Sequence, residues 1–322
     1  MIESNEGARS VDLSIIMCTR NRGDRLRPFL DAVESIRSDK VWELVLVDNN
    51  SADETAALLQ AFAEASPVRA LYHLETRAGL GAARKSGTDV ASGRIIAFTD
   101  DDCYPAPDFV DRVLEAFEGA PNLGCVGGRI ELHDPADLPI TIDEREERVE
   151  ISARTFLPAG ELQGANLSFP KPVLDQIGGF DPELGAGTDF PCEDVDVVAR
   201  VLWAGFEARY DPGPVVSHHH GRRQADLDGI LKSYAKGRGA YFAKFILRPE
   251  TRRAYMAGWR GKARSIQNRR QFAMLRLELG YAWRYAWRKT VGGLPLIGAL
   301  LVLQLGTGAL ALVRTKVRSK LA

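Results

Sequence analysis

Cysteine is scarce in this 322-residue chain, and the four present (Cys18, Cys103, Cys125, Cys192) lie far apart with no C-x-x-C pair. That spacing excludes a structural zinc site and a disulfide scaffold. The opening MIESNEGARSVD lacks an apolar core, so no secretory signal is expected and a reduced, cytosol-facing protein follows. Internal repeats and low-complexity runs are also missing. The length suits one large α/β domain with an appendage, or two ordinary domains. Net charge is nearly absent at −1, but the balance is not local. From Ala225 to Ala322 there are 20 Lys and Arg against 4 Asp and Glu, a net +16, which leaves −17 for residues 1–224. Two regions with different partners are implied: either a basic helical face balances an acidic domain, or a basic surface meets anionic lipid.

The acidic region alternates short apolar runs with helical periodicity. Leu13–Cys18, Glu43–Val47, Val68–Leu74 and Arg94–Thr99 read as buried strands. Helices are expected over Asp24–Arg37, from a cap at Ser51 or Asp53 through Ala65, and over Gly81–Ala91. This alternation predicts a mostly parallel central sheet with helices on both faces, and ligands outside the carboxyl ends of the strands. Those ends read CTRNR, VDNNS and TDDDC. After about Gly124 the alternation weakens, although Val126–Leu132, Phe206–Asp211 and Val215–His218 suggest strands and Glu193–Ala204 a helix.

Three successive carboxylates, Asp100, Asp101 and Asp102, oppose one another's ionisation unless a cation neutralises them. In an extended segment Asp100 and Asp102 would share a face with Asp101 opposite, a pairing suited to Mg²⁺ or Mn²⁺. A solvated acidic turn is the plainer alternative. Glu193 and Asp194 open a helix, where its dipole stabilises negative charge, so simple capping also explains them. VVSHHH places His218 and His220 on one face of an extended segment. GLGAARKSG is not a phosphate loop, because Arg84 stands where such a loop needs glycine. CTRNRGD supplies one glycine only, short of a dinucleotide or nucleotidyltransferase loop after the first strand.

The order CTRNR, VDNNSADET, GLGAARKSG, IIAFTDDDCYPAPDF, QGANLSFPK, IGGFDPELGAG, CEDVDVVARVLWAGF resembles family-2 glycosyltransferases of the GT-A fold, over roughly Leu13–His220. The resemblance implies an inverting enzyme using a nucleotide-diphosphate sugar and a divalent cation. It implies that Thr19, Arg20 and Asp48 hold the nucleotide, with Arg84 and Lys85 near it, unless these two are solvated helix charges. Asp100 and Asp102 match the D-x-D carboxylates: Asp102 chelates the metal, Asp100 leans toward the ribose, and Asp101 fills the variable position. His218 matches a histidine that completes the metal shell in some GT-A enzymes. Gly164 and Asn166 fall in a segment near donor sugar and acceptor, although Asn166 also suits a buried, hydrogen-bonded amide. Asp194 matches the general base with Glu193 positioning it; the glycine that often precedes this pair is Cys192 here.

The uncharged run 292–313 is long enough, at about 33 Å, to cross a bilayer. Trp283, Tyr285 and Trp287 precede it among cations, and Arg314, Lys316, Arg318 and Lys320 follow. Five glycines, Pro295 and Gln304 weaken it as a span, so spanning, in-plane attachment and burial against the catalytic domain all stay open. Tyr234–Lys244 mixes aromatics with cations suited to a lipid-linked acceptor or anionic headgroups. No nucleic-acid motif accompanies the positive charge. The expected layout is a GT-A catalytic domain over 1–224, a basic helical region over 225–291 and an apolar segment with a basic tail over 292–322. The expected protein transfers a sugar, UDP-linked, with Mn²⁺ or Mg²⁺, to a hydroxyl of a lipid-linked or polysaccharide acceptor. It does so at the cytoplasmic face of the membrane, as a peripheral protein or with a single C-terminal span. A sugar-nucleotide nucleotidyltransferase and a degenerate membrane scaffold are the alternatives.

Overall fold

The computed structural model describes residues 10–290 and 294–321, with side chains described through Thr315 except at residue 294. The polar opening residues 1–9, residues 292 and 293 of the uncharged run, and the side chains of Lys316, Arg318 and Lys320 lie outside the described set.

The first half is built as the alternation predicts: β1 (Leu13–Thr19), α1 (Arg27–Glu34), β2 (Trp42–Asp48), α2 (Thr55–Ala65), β3 (Ala70–Leu74), α3 (Leu80–Val90) and β4 (Ile95–Asp100). Strands β3, β2, β1 and β4 are parallel neighbours. Because side chains alternate along a strand, β1, β2 and β4 each feed two cores, whereas the edge strand β3, expected to be buried, has no fully buried residue. Leu13, Ile15, Met17, Leu44, Leu46, Ile95 and Ala97 pack under α1 and α2. Ile16, Val45, Val47, Ile96 and Phe98 face the other way. Helix α2 starts later than the cap signal suggests: Asp53 accepts from the Thr55 amide at 3.1 Å, whereas Ser51 is drawn off to the Asn21 amide at 2.9 Å.

Beyond β4 the sheet is mixed. The chain continues through β5 (Cys103–Pro105), α4 (Phe109–Phe117), β6 (Leu123–Leu132), β7 (Val149–Ile151), β8 (Asn166–Pro170), α5 (Lys171–Ile177), α6 (Glu193–Ala204) and β9 (Glu207–His218). The strand order is β3-β2-β1-β4-β8-β6-β9-β5, with β7 on β9. Strand β8 runs antiparallel to both β4 and β6. The two short strands expected over 206–218 are one strand, irregular where it pairs with Gly128 and Arg129.

After a short 3₁₀ turn at Gln224–Asp226 the chain is helical: α7 (Leu227–Leu247), α8 (Pro249–Arg264), α9 (Arg269–Lys289) and α10 (Leu294–Leu321). These helices share a core with the sheet, through Tyr241, Phe245, Tyr255, Trp259, Leu275, Tyr285, Ile297 and Leu300. Helix α7 is wedged by two glycines. A Cβ on Gly237 would stand 1.8 Å from the Pro191 carbonyl oxygen, and one on Gly239 would stand 2.1 Å from that of Glu278. Only glycine permits such backbone approach.

Candidate active site

The carboxyl ends of β1, β2 and β4 lie side by side, since Thr19 pairs with Asp48 and Cys18 with Asp100. Strand β4 stops at Asp100, and Asp101–Asp102 form a turn. The extended geometry expected for the triplet is therefore not adopted, and Asp100 and Asp102 go separate ways. Asp100 takes Arg84 Nη2 at 2.8 Å. Asp101 accepts from Thr19 Oγ1 at 2.6 Å and faces Arg22 Nη2 at 3.5 Å. Asp102 faces Arg22 Nη2 and His218 Nε2, each at 3.3 Å.

Burial pushes the Asp101 carboxyl up to about 6, against the opposing pull of Arg22 and Thr19. Burial acts on Asp102 too, but there the hydrogen bond and charge of His218 win and hold it below the usual carboxylate range. The partner behaves reciprocally: burial disfavours charge on His218, and Asp102 more than compensates, raising it. Asp102 and His218 thus converge at the end of β4, with Cys103 Sγ also within reach. The carboxylate oxygen and imidazole nitrogen fit Mn²⁺ or Mg²⁺. Burial holds the Cys103 thiol well above its ordinary value, so it stays protonated and unsuited to such an ion. Of the neighbouring histidines, His220 is engaged by the Leu138 carbonyl at 2.9 Å and the Arg222 amide at 3.0 Å. His219 is exposed beside Tyr104 and His133.

Arg84 links this cluster to the helix that carries Glu193 and Asp194. It is 2% exposed and reaches Asp100, the Gly164 carbonyl at 2.9 Å and Glu193 Oε1 at 3.4 Å. The reading of Arg84 as a solvated helix charge fails, because its guanidinium is spent inside the protein. Lys85, next to it, pairs with Asp89 one turn along α3 at 3.0 Å and is not drawn into the cluster. Gly164 joins the two acidic groups: its amide donates to Asp194 Oδ2 at 3.2 Å. A Cβ there would stand 2.8 Å from the Arg84 guanidinium and 3.1 Å from Asp194 Cβ, so a side chain at this position would press on both. Burial and the nearby Asp194 charge raise Glu193 to about 7, with Arg84 opposing. Asp194 is half-buried, and its second carboxylate oxygen accepts from the Val195 amide at 2.7 Å.

The remaining expected residues differ in how far the protein itself engages them. The Asn166 amide nitrogen donates to the Arg129 and Pro214 carbonyls, both at 3.0 Å, tying β8 to β6 and β9. It is the buried amide, not a free sugar contact. Asp48 is 1% exposed and accepts from the Ser51 amide at 2.9 Å and Tyr72 Oη at 3.3 Å. Arg20 is exposed at the end of β1.

Sequence reading missed Arg22, two residues past Arg20, which faces both Asp101 and Asp102. It also missed the loop of residues 178–192 as a meeting point. The Leu80 amide donates to Ala186 and the Gly81 amide to Leu184, docking the loop on the start of α3. From the other side, Lys244 reaches Asp181 at 2.8 Å and Asp196 at 2.7 Å, while Arg284 and Arg288 reach Asp189 at 3.0 and 2.6 Å. The G-x-G spacing in α7 was the available signal for such close packing.

Residues 14–168 match the family described as glycosyl transferase family 2. The chain is 26% identical over 243 residues to the glucosyl-dolichyl phosphate glucuronosyltransferase of Haloferax volcanii, covering 70% of this chain and 75% of that protein. Among solved structures, the mannosyltransferase PcManGT from Pyrobaculum calidifontis in complex with GDP-Man and Mn²⁺ superposes with a TM-score of 0.58 at 20% identity. That match covers 95% of this chain and 86% of the other. TarS 1-349 of S. aureus in complex with UDP-GlcNAc gives a TM-score of 0.56 at 13% identity, covering 94% and 90%. At these identities the structural likeness is one of fold, the GT-A fold.

Proposed function

Because the chain belongs to glycosyl transferase family 2, we propose that it moves a sugar from a nucleotide-diphosphate donor, UDP-linked, to a hydroxyl of a lipid-linked or glycan acceptor at a membrane surface, with inversion. The observation that carries the reading is the convergence of Asp102 and His218 at 3.3 Å beside the Arg84-linked acids. Residues 1–224 supply the chemistry, 225–291 brace it and 292–322 attach it to the cytoplasmic face of the membrane.

Asp102 and His218 would hold the divalent cation. When bound, that ion neutralises charge developing on the departing diphosphate. Thr19, Asp48 and Arg20, at neighbouring strand ends, frame the nucleotide. Arg22 is partly exposed and can turn from the acids toward a phosphate. Arg84 fixes Asp100 and the Gly164 carbonyl, so the Gly164 amide orients Asp194. Asp194 takes the proton from the acceptor hydroxyl as its oxygen attacks the anomeric carbon. Glu193, kept largely neutral by burial at low pH, positions that helix start rather than acting as a second base. The acceptor reading draws support from the Haloferax relative, whose own acceptor is a glucosyl-dolichyl phosphate by its name.

Release of nucleoside diphosphate from a panel of nucleotide sugars, with and without membrane extract, tests the proposal. Release that chelation abolishes and Mn²⁺ restores is the expected result. Pyrophosphate release from a nucleoside triphosphate and a sugar phosphate would instead establish the nucleotidyltransferase alternative. Inertness toward every donor would leave the scaffold reading standing.

A further inference from the structure

Helix α10 contains a stretch, Pro295–Thr315, long and apolar enough to cross a membrane, yet it does not stand free. A Cβ on Gly298 would lie 3.6 Å from Trp283, and one on Gly308 would lie 2.7 Å from Leu275 and 3.1 Å from Ile266. The contacts run in opposite chain order, so α10 lies antiparallel along α9. Its inner stripe is buried there: Ile297, Leu300 and Gln304 are 0, 5 and 1% exposed. Gln304, the polar residue in mid-helix, therefore faces protein. Every exposed residue from 295 to 313 is apolar, and Val302, Leu310 and Val313 are 73, 62 and 58% exposed. A monomer rarely leaves so continuous an apolar face in water.

The rim of that face is cationic. A cleft of about 440 Å³ between the ends of α8 and α10 is lined by Arg264, Thr307, Leu310, Ala311, Arg314 and Thr315. Arg264 and Arg314 are exposed, and neither has an acidic partner among the described residues. At the opposite end of the helix pair, Trp283 and Trp287 are 41 and 66% exposed, as aromatic residues are at a membrane interface. Crossing the hydrocarbon in this arrangement would drag the exposed Arg276 and Arg284 of α9 into lipid, at a cost of several kcal/mol.

We propose that α10 attaches the protein in plane. Its outer face lies among the acyl chains of one leaflet, and Arg264 and Arg314 grip the phosphate of an anionic phospholipid whose chains follow Leu310 and Ala311. The protein itself takes the place of the polar face of an interfacial helix. This deepens the membrane part of the proposed function and is separable from its chemistry, because donor hydrolysis can be followed without vesicles.

The test is co-sedimentation of the full chain with phosphatidylglycerol-containing and with pure phosphatidylcholine vesicles, followed by alkaline carbonate extraction. The wild-type chain is expected to sediment with the anionic vesicles only, and to be released by carbonate. Val302→Asp with Leu310→Asp should lower binding by about tenfold or more. Arg264→Gln and Arg314→Gln should each lower it by about fivefold on anionic vesicles. Thermal unfolding and vesicle-free donor hydrolysis should be unchanged in all four substitutions. Retention through carbonate would establish a span and overturn the proposal. Equal binding to neutral vesicles, or full binding by the aspartate variants, would overturn it as well. Loss of donor hydrolysis in the wild type would count against the proposed chemistry alone.

Discussion

Glu278 in the helical half and Asp102 in the sheet half are both acids inside the protein, and they are treated differently. Glu278 is fully buried and receives Arg238 Nε at 3.0 Å, Trp259 Nε1 at 2.7 Å and the Lys262 ammonium. Two cations and an indole N–H saturate one carboxylate. Asp102 shares the sheet edge with Asp100 and Asp101, and the three divide Arg22, Arg84, His218 and the Thr19 hydroxyl among them. An acid with donors on both oxygens ties helices together. A crowd of acids with too few donors is a place where an added cation gains most.

Exchanging the carboxylates for amides separates the two cases. Asp102→Asn should cost turnover about 10³-fold or more, as loss of several kcal/mol of charge stabilisation does, while leaving the melting temperature nearly unmoved. Glu278→Gln should do the reverse. It weakens the hold on half-buried Arg238 and Lys262 and should cost about 1–3 kcal/mol by chemical denaturation, with turnover per folded molecule unchanged. Equal turnover losses in both would erase the distinction. Within the sheet half, Asp194→Asn should lower transfer by about 10²–10⁴-fold while nucleoside diphosphate binding, followed by calorimetry, survives.

Lys244 is where the halves meet, on α7 but facing Asp181 and Asp196. Lys244→Met takes the cation from half-buried Asp181 and leaves buried Asp196 with Arg200 alone, at 2.8 Å, and should destabilise by about 2–3 kcal/mol. Because Asp196 is two residues from Asp194, kcat should fall more than donor KM rises, and Lys244→Arg should recover part of it. A pure stability loss with unchanged kcat would mean that the helical half merely supports the fold.

The smallest effect concerns Glu193. Its native value near 7 lies above the ordinary 4.5, because burial and Asp194 disfavour its charge. The native state therefore holds the proton more tightly than the unfolded chain. Its contribution to stability is full below pH 4.5 and is lost as pH rises toward about 7. Glu193→Gln should unfold at the same temperature as wild type in acid and a few degrees higher above neutrality. A gap in the opposite sense would show that the Arg84 pairing outweighs burial.

The sequence pattern made the parallel half legible because three of its four strands are buried on both faces and read as unbroken apolar runs, as in LSIIMC and RIIAFT. Helix α6 was bounded correctly at Glu193–Ala204, and Gly205 caps it in the left-handed conformation. Strands β5, β7 and β8 were not seen. The first two have three residues each, too few for a period, and β8 carries polar Asn166 and Ser168 that are buried by contacts remote in sequence. At the site, residue types were legible but directions were not. Asp100 and Asp102 part because the strand stops between them, and Arg84 turns inward because Glu193 and the Gly164 carbonyl wait there. The covered stripe of α10 was equally hidden, since both of its faces are apolar and only packing tells them apart.

Titration of UDP into the protein with and without Mn²⁺, for wild type, Asp102→Asn and His218→Gln, tests the pairing of Asp102 with His218 most directly. Mn²⁺ is expected to tighten UDP binding by about tenfold or more in the wild type. Each variant is expected to keep its metal-free affinity and to lose that gain. A Mn²⁺ gain that persists undiminished in both variants, or is absent from the wild type, would contradict the assignment of this sheet edge as the seat of a cation holding a diphosphate.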